Sequence, residues 1–145
     1  MIAYLDASAL VKRYVAEAGS AEVGGLIVQA EAAGTAIISR AEVAAALAKA
    51  VRMRLLPRDE AASALQVFNR EWESLVRLQM TEVLVSRAAS LAWDHGLRGY
   101  DAAHLASALF WQDMLGAPVT VASYDRQLWE AAKANGLIAW PESLP

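Results

Sequence analysis

The sequence contains no cysteine, which excludes disulfide bonds and metal sites built from thiolates. It has no uninterrupted apolar stretch of the roughly 18–20 residues that a membrane-spanning helix requires, so we expect no membrane contact. No basic segment precedes an apolar one at the N-terminus, so we expect no signal peptide. The formal net charge of −3 gives no global basic field. Any contact with nucleic acid must therefore come from a local patch of positive charge.

What the chain does have is a high content of apolar residues. Hydrophobic residues make up 57% of the 145 residues and charged residues 20%. A chain of this length and composition buries one proper core, so we predict a single domain over residues 1–145. The lack of cysteine fits a reducing compartment, and we predict a cytoplasmic protein.

Short apolar segments alternate with helical patterns along the whole chain. The apolar segments predict strands at 2–5, 35–38, 78–80, 119–122 and 137–140. The stretches between them predict helices at 7–17, 20–33, 39–55, 57–75, 81–95, 102–114 and 125–135. Gly34 is expected to end the second of these helices, and the third and fourth should form a hairpin around Pro57. Alternation of this kind predicts an α/β fold, with a mostly parallel sheet covered on both faces.

Four carboxylates share one kind of position in this pattern. Asp6, Glu42 and Asp125 each follow a predicted strand, at or inside the first turn of the next helix, and Asp101 lies at the start of a helix that is apolar nearly all round. Because the carboxyl ends of parallel strands share one edge, we expect these acids to converge there. Each also has a purely structural interpretation: Asp6 and Asp101 as helix caps, Glu42 as the partner of Ser39 in a capping box, and Asp125 as an acid favoured by the helix dipole. All four being structural together is the less favoured interpretation.

A cluster of carboxylates is electrostatically unfavourable unless protons or a cation neutralise it. Oxygen ligands without histidine or cysteine favour a hard divalent ion, Mg²⁺ or Mn²⁺. Such an ion activates water and stabilises charge on phosphate, so the pattern predicts phosphodiester hydrolysis. Spacing alone leaves other Mg²⁺-dependent phosphoryl chemistry open.

The segments that carry these acids also resemble a known family. They are Asp6-Ala-Ser8, Ser39-Arg-Ala-Glu42, Leu97-Arg-Gly-Tyr-Asp101-Ala-Ala-His-Leu-Ala and Val121-Ala-Ser-Tyr-Asp125-Arg. In this order they are similar to the motifs of PIN domains and, more narrowly, of the VapC toxins of type II toxin–antitoxin systems. The resemblance covers essentially the whole chain. It implies a three-layer α/β/α sandwich with a sheet of about five strands.

The resemblance further implies an Mg²⁺- or Mn²⁺-dependent endoribonuclease that cuts tRNA, rRNA or mRNA and pairs with a cognate antitoxin protein. Asp6, Glu42, Asp101 and Asp125 fall on the family's four acidic positions. Ser8 and Ser123 match its hydroxyl positions, and we predict that they orient carboxylates or a metal-bound water. The apolar hairpin at 47–72, larger than one small core needs, together with the resemblance predicts a homodimer with an antitoxin tail lying across it.

Other functions fit the residues less well. A catalytically silent PIN-like module that binds RNA or protein would usually have lost some of the acids, and here all four are present. A phosphotransferase of the haloacid-dehalogenase type normally has a second acid two residues after the first, where this chain has Ser8. It also needs a lysine near the later motifs, as does a receiver-type signalling domain, and none lies beside Asp101 or Asp125.

Two further groups of polar residues lie near these motifs. We interpret His104 as a core histidine with hydrogen-bonded ring nitrogens rather than as a metal ligand or general base. Basic residues flank the acidic motifs as solvated helix ends or as contacts for RNA phosphate: Lys12, Arg13, Arg40, Arg98 and Arg126.

Overall fold

Five short parallel strands form the sheet at the centre of the molecule, of which the computed structural model describes residues 1–145. Their order across the sheet is β3-β2-β1-β4-β5, with every neighbouring pair parallel. They are β1 (Ile2–Leu5), β2 (Ala32–Ala36), β3 (Val76–Leu78), β4 (Val119–Ala122) and β5 (Ile138–Trp140). The sequence-based prediction of a parallel sheet of about five strands is therefore confirmed.

Seven α-helices connect and cover the strands. They are α1 (Ala7–Leu10), α2 (Ser20–Gln29), α3 (Ser39–Arg52), α4 (Arg58–Glu71), α5 (Glu82–His95), α6 (Gly99–Leu115) and α7 (Arg126–Ala134). Short 3₁₀ turns extend α1 over Val11–Arg13 and α4 over Trp72–Ser74. The hairpin of α3 and α4 is present as predicted. None of the helices has the length and apolar character required to cross a membrane.

Two apolar cores lie on opposite faces of the sheet. Because side chains alternate along a strand, Tyr4 faces the core formed with α5, α6 and α7, whereas Ala3 and Leu5 face the core formed with α1 to α4. Tyr4 and Leu5 are both completely buried. The arrangement is the three-layer α/β/α sandwich that the resemblance implied.

The chain reverses its direction of travel across the sheet at β1. From β1 it moves outward to β2 and β3, then returns to the other side of β1 as β4 and continues to β5. In open α/β sheets the crevice for ligands forms at such a reversal, outside the carboxyl ends of the strands. The residues that follow β1, β2 and β4 therefore meet at one place.

The prediction that Gly34 ends a helix is wrong. Helix α2 already stops at Gln29, and Gly34 lies within β2, where it pairs with Tyr4 of β1. A Cβ at position 34 would lie 2.8 Å from the indole ring of Trp111, so α6 packs directly on the backbone of β2. The alanine-rich stretch is compatible with either structure locally, and pairing with β1 selects the strand.

The prediction of one continuous helix over 7–17 is also wrong beyond its first turns. Side chains bind the backbone of the following loop instead. The Lys12 ammonium donates to the Ala18 carbonyl at 2.7 Å, and the Ser20 hydroxyl donates to the Val15 carbonyl at 2.7 Å. Such side-chain bonds compete with helix continuation.

Ser39 and Glu42 do not form a capping box. Ile38 is the N-cap residue of α3 and already has helical backbone angles, so Ser39 lies inside the helix, where no side chain caps the first turn. The buried Ser39 hydroxyl is instead hydrogen-bonded to the Thr35 hydroxyl at 2.6 Å. The carboxylate of Glu42 is therefore available for other contacts.

Candidate active site

Asp6 follows β1 directly and is almost completely enclosed, with 3% of its surface exposed. Its Oδ1 accepts from the Ser8 hydroxyl at 2.6 Å and from the Ala9 amide at 2.9 Å. Its Oδ2 accepts from the Ser123 hydroxyl at 2.6 Å. The hydrogen bond from the Ala9 amide shows that Asp6 caps α1, as its structural interpretation predicted. Two hydroxyl groups also hold the Asp6 carboxylate in place. Capping alone does not require either of them.

The two serines connect Asp6 to the loop that follows β4. Ser8 Oγ accepts from the backbone amide of Tyr124 at 2.9 Å, and Ser123 Oγ accepts from the amide of Asp125 at 3.1 Å. Each hydroxyl therefore donates to a carboxylate and accepts from the neighbouring loop. The ends of β1 and β4, adjacent in the sheet, are locked together at this point.

Asp125 and Asp101 are joined by one guanidinium group. Asp125 is the N-cap of α7, where its Oδ1 accepts from the Leu128 amide at 3.0 Å. Its Oδ2 accepts from Nη2 of Arg98 at 2.7 Å, and Oδ2 of Asp101 accepts from Nε of the same arginine at 2.9 Å. Asp101 is not the helix cap that its structural interpretation predicted, because α6 begins at Gly99 and Arg98 occupies the N-cap position.

Glu42 is held in place by a buried chain of hydrogen bonds. Nε2 of His104 lies 2.7 Å from Glu42 Oε1, and its Nδ1 lies 2.7 Å from the Tyr4 hydroxyl. Because a carboxylate only accepts, Nε2 is the donor, and in a neutral ring Nδ1 then accepts from the tyrosine. His104 is 2% exposed and Tyr4 fully buried. His104 thus has both ring nitrogens hydrogen-bonded inside the core, as the sequence-based interpretation has it, and one of them holds a candidate site acid.

The charged groups of the site lie close enough to shift one another's pKa values. Burial raises the pKa of Asp6, against the lowering effects of His104, Ser123, Ser8 and the amide of Ala9. Burial also raises the pKa of Asp101, with added repulsion from other site carboxylates and an opposing hydrogen bond from its arginine. Burial alone would lower the pKa of His104, but the hydrogen bond to Glu42 and the surrounding negative charges raise it overall. The site therefore favours bound protons or a cation.

Comparison with known proteins identifies the fold. The PIN domain model matches residues 3–134. The chain belongs to the PIN domain family. Within the family it is of the VapC type, because it is 38% identical over 144 residues to Ribonuclease VapC45 of Mycobacterium tuberculosis (strain CDC 1551 / Oshkosh). The alignment covers 99% of this chain and 97% of that relative.

Two solved structures share the PIN architecture at low sequence identity. The crystal structure of PAE2754 from Pyrobaculum aerophilum superposes with a TM-score of 0.67 at 23% identity, covering 96% of this chain and 89% of that one. A toxin–antitoxin complex from Klebsiella pneumoniae gives a TM-score of 0.65 at 14% identity, covering 94% and 95%. At such low sequence identities, the two structures support the assignment of the fold and nothing further.

All four predicted acids of this PIN domain lie at the carboxyl edge of the sheet, together with both predicted serines. Asp6, Ser123 and Asp125 are linked directly by hydrogen bonds, and Asp101 joins them through Arg98. Sequence reasoning missed two links, the bridging role of Arg98 and the bond from His104 to Glu42. The signal for the first was its position three residues before Asp101, one helical turn away.

VapC-type PIN ribonucleases depend on a divalent metal, and the donor chemistry of this site fits one. The side chains at the edge are carboxylates and hydroxyls, which suit hard ions. Burial raises the pKa of both Asp6 and Asp101, and repulsion from Asp125 and Asp6 adds to the rise at Asp101; a bound cation would relieve the cost of keeping these carboxylates charged. No three Asp, Glu or His side chains are arranged as a finished set of metal ligands. Two of the acids are instead paired with Arg98.

Proposed function

We propose that this chain is an endoribonuclease and the toxin of a type II toxin–antitoxin pair, and that residues 1–145 form its single PIN domain. Its reaction is the hydrolysis of RNA phosphodiester bonds with Mg²⁺ or Mn²⁺. The observation that carries the proposal is the meeting of Asp6, Glu42, Asp101 and Asp125 at the sheet's carboxyl edge. This occurs in a chain that matches a named ribonuclease over nearly its full length.

We assign the four acids as the ligands of the divalent metal ion. When bound, a divalent ion at such a site supplies water activation and neutralises charge on the reacting phosphate. Asp6 is fixed in advance by the hydroxyls of Ser8 and Ser123, so these serines position a carboxylate rather than react. Glu42 is fixed by its bond to a buried histidine. Rigid placement of this kind lowers the reorganisation needed during reaction.

Water rather than the ribose 2′-hydroxyl is the nucleophile in this proposal. Cleavage then leaves a 5′-phosphate and a 3′-hydroxyl. No cysteine is available, and both nitrogens of the buried His104 are engaged in hydrogen bonds. That histidine therefore has no free nitrogen with which to deprotonate a ribose hydroxyl.

The proposed partners are an antitoxin protein and a second copy of the chain. The hairpin of α3 and α4 presents an apolar groove whose lining includes Leu47, Val51, Ala61 and Leu65. Leu55, at the turn of the hairpin, is 74% exposed. Exposed apolar surface of this extent favours a protein partner. The Klebsiella pneumoniae structure with this fold is itself a toxin–antitoxin complex.

The activity is tested with the purified chain on tRNA, rRNA and mRNA, in Mg²⁺, in Mn²⁺ and in EDTA. We expect metal-dependent fragments with 5′-phosphate ends, abolished by Asp6→Asn. The matched control is Asp94→Asn, because Asp94 is an exposed aspartate at the end of α5. Equal cleavage by the wild type and Asp6→Asn, or fragments with 2′,3′-cyclic phosphate ends, would refute the assignment.

The partner is tested by expressing the chain with the small open reading frame beside its gene. Copurification and inhibition of cleavage are expected. The variant Ala48→Arg, which places a charge at an exposed position of the groove between α3 and α4, should weaken the complex while leaving cleavage by the free chain unchanged. If this variant binds the partner as tightly as the wild type does, the partner binds elsewhere on the surface and the proposed groove is wrong.

A further inference from the structure

Arg98 occupies an unusual position for an arginine beside a proposed metal site. It is the N-cap residue of α6, and its guanidinium joins Asp101 on the same helix to Asp125 at the start of α7. The two nitrogen–oxygen distances are 2.9 and 2.7 Å. The side chain of Arg98 is 54% exposed, compared with 6% for Asp101 and 27% for Asp125. The guanidinium of Arg98 thus lies on the solvent side of the two acids.

Both carboxylate oxygens of Asp125 already accept a hydrogen bond. Its Oδ1 accepts from the Leu128 amide and caps α7, and its Oδ2 accepts from Arg98. A divalent ion can bind a remaining lone pair of this carboxylate, but it is then repelled by the guanidinium, whose nitrogen lies 2.7 Å from Oδ2. Replacing the cap would strand a helix N-terminal amide, whereas the half-exposed guanidinium is released into water. Displacement of Arg98 is the less costly route.

We propose that Arg98 competes with the metal for Asp101 and Asp125, and that metal binding releases its guanidinium to contact a phosphate of the RNA. This inference rests on the proposed function, since it takes these two acids as metal ligands. Arg98 is then a positioning residue: it keeps both carboxylates in place before loading. A forked guanidinium is suited to both tasks, because it bridges two carboxylates and binds phosphate in the same manner.

The ring of Tyr100 provides a contact for the side chain of Arg98 after its release. The guanidinium carbon of Arg98 lies 5.0 Å from the ring centre of Tyr100, which is 45% exposed. This aromatic contact keeps the arginine at the mouth of the site after its carboxylate bonds are lost. The positive charge therefore remains where the substrate's phosphates arrive.

The first experiment measures metal affinity without RNA, by calorimetric titration of Mn²⁺ into wild type, Arg98→Ala and Arg98→Lys. Removing the competitor should tighten Mn²⁺ binding by about three- to tenfold, the range for two partly exposed ion pairs. Lysine cannot bridge both acids and should give an intermediate value. The matched control is Arg126→Ala, which removes the same charge next to Asp125. Arg126 contacts Glu130 and the carbonyl of Pro145, not a site acid.

A second measurement observes the displacement directly. The Nε–H resonance of Arg98 in an NMR spectrum should be protected from exchange in EDTA and lose that protection at saturating Mg²⁺, while that of Arg126 stays unchanged. In steady-state cleavage, Arg98→Ala should need less metal for half-maximal rate but show a raised KM for RNA. Its salt dependence should be shallower by about one phosphate contact.

The outcomes separate this inference from the proposed function. If the wild type cleaves RNA but Arg98→Ala binds Mn²⁺ no more tightly than Arg126→Ala, the competition is refuted while the function stands. Protection of the Arg98 Nε–H at saturating Mg²⁺ refutes it equally. If the wild type neither cleaves RNA nor binds Mn²⁺, the proposed function fails and this inference fails with it.

Discussion

The buried chain from Tyr4 through His104 to Glu42 makes a quantitative prediction about coupling. Tyr4→Phe removes only the hydroxyl that bonds His104 Nδ1, and His104→Leu removes the imidazole that bonds both neighbours. If the three groups form one network, the two substitutions share an interaction. Their effects on the free energy of unfolding should then fall short of additivity.

The expected change in the free energy of unfolding follows from the hydrogen bonds that each substitution removes. A hydrogen bond to a charged group contributes about 1.5–3 kcal/mol, and a neutral one about 1 kcal/mol. We therefore expect a loss of about 1–2 kcal/mol for Tyr4→Phe and about 2–4 kcal/mol for His104→Leu. The double variant should be about 1 kcal/mol more stable than the sum predicts, because the Tyr4–His104 bond is counted in both single variants.

Urea unfolding of the metal-free protein, followed by fluorescence of its five tryptophans, measures these energies. Tyr14→Phe is the matched control, because Tyr14 packs against Phe68 in the core on the opposite face. It should be additive with His104→Leu. A Mn²⁺ titration tests the link to function: His104→Leu frees Glu42 and should weaken binding about 10- to 100-fold, the usual effect of removing an outer-shell partner. Additive energies within about 0.5 kcal/mol, or unchanged Mn²⁺ affinity, would refute the network.

Three further outcomes are expected. Glu42→Gln should keep its fold, since an amide oxygen still accepts from the histidine, but a tenfold weaker site loses up to about 1.4 kcal/mol of stabilisation by saturating Mg²⁺, measured as a thermal shift. The exposed Glu60→Gln, in the first turn of α4, should keep that shift. Because the folded pKa of Asp6 is raised above its ordinary value of 3.8, the folded state holds the proton longer, and the metal-free protein loses stability as the pH rises through that range. The stability advantage of Asp6→Asn over wild type should therefore be larger at pH 7 than at pH 4 in EDTA. If it shrinks as the pH rises, the assigned direction is wrong. Gly34→Ala should cost about 1–3 kcal/mol by overpacking against the indole 2.8 Å away, whereas Gly24→Ala, with nothing within 4 Å, should gain about 0.5–1 kcal/mol. Equal unfolding midpoints for the two alanine variants would contradict that packing.

Elements with local signals were predicted well from the sequence. The helix that begins after Thr81 and ends at Gly96 has both a hydroxyl cap and a glycine with a positive φ of 65°, and both signals are visible in the sequence. Helix α6 is apolar nearly all round and is buried as expected. The four acids could be placed at one edge because parallel strands share their carboxyl ends.

Predictions failed where contacts between distant segments decide the structure. The strand containing Gly34 is selected by pairing with β1 and by the indole of Trp111, 77 residues later in the sequence, that packs on its backbone. The bond from His104 to Glu42 spans 62 residues, and that from Arg98 to Asp125 spans 27. No local pattern encodes such pairs. The family resemblance located the acids and the two serines that hold Asp6, but not the histidine and the arginine that hold the other three acids.

Each of the four acids has a partner supplied by the fold itself, and this has a consequence for how a metal would bind. Asp6 is held by two hydroxyls and an amide, Glu42 by a buried imidazole, and Asp101 and Asp125 by a shared guanidinium. Repulsion among clustered carboxylates is thereby offset before any ion binds. The partners of Asp6 and Glu42 lie largely inside the molecule, whereas the guanidinium shared by Asp101 and Asp125 lies half in solvent. The hydroxyls and the imidazole can stay in place while a cation binds, since each carboxylate oxygen has a second lone pair. Because the guanidinium of Arg98 carries a positive charge like that of the ion, it is the partner that we propose leaves. On this proposal, the rearrangement on metal binding is confined to one exposed side chain.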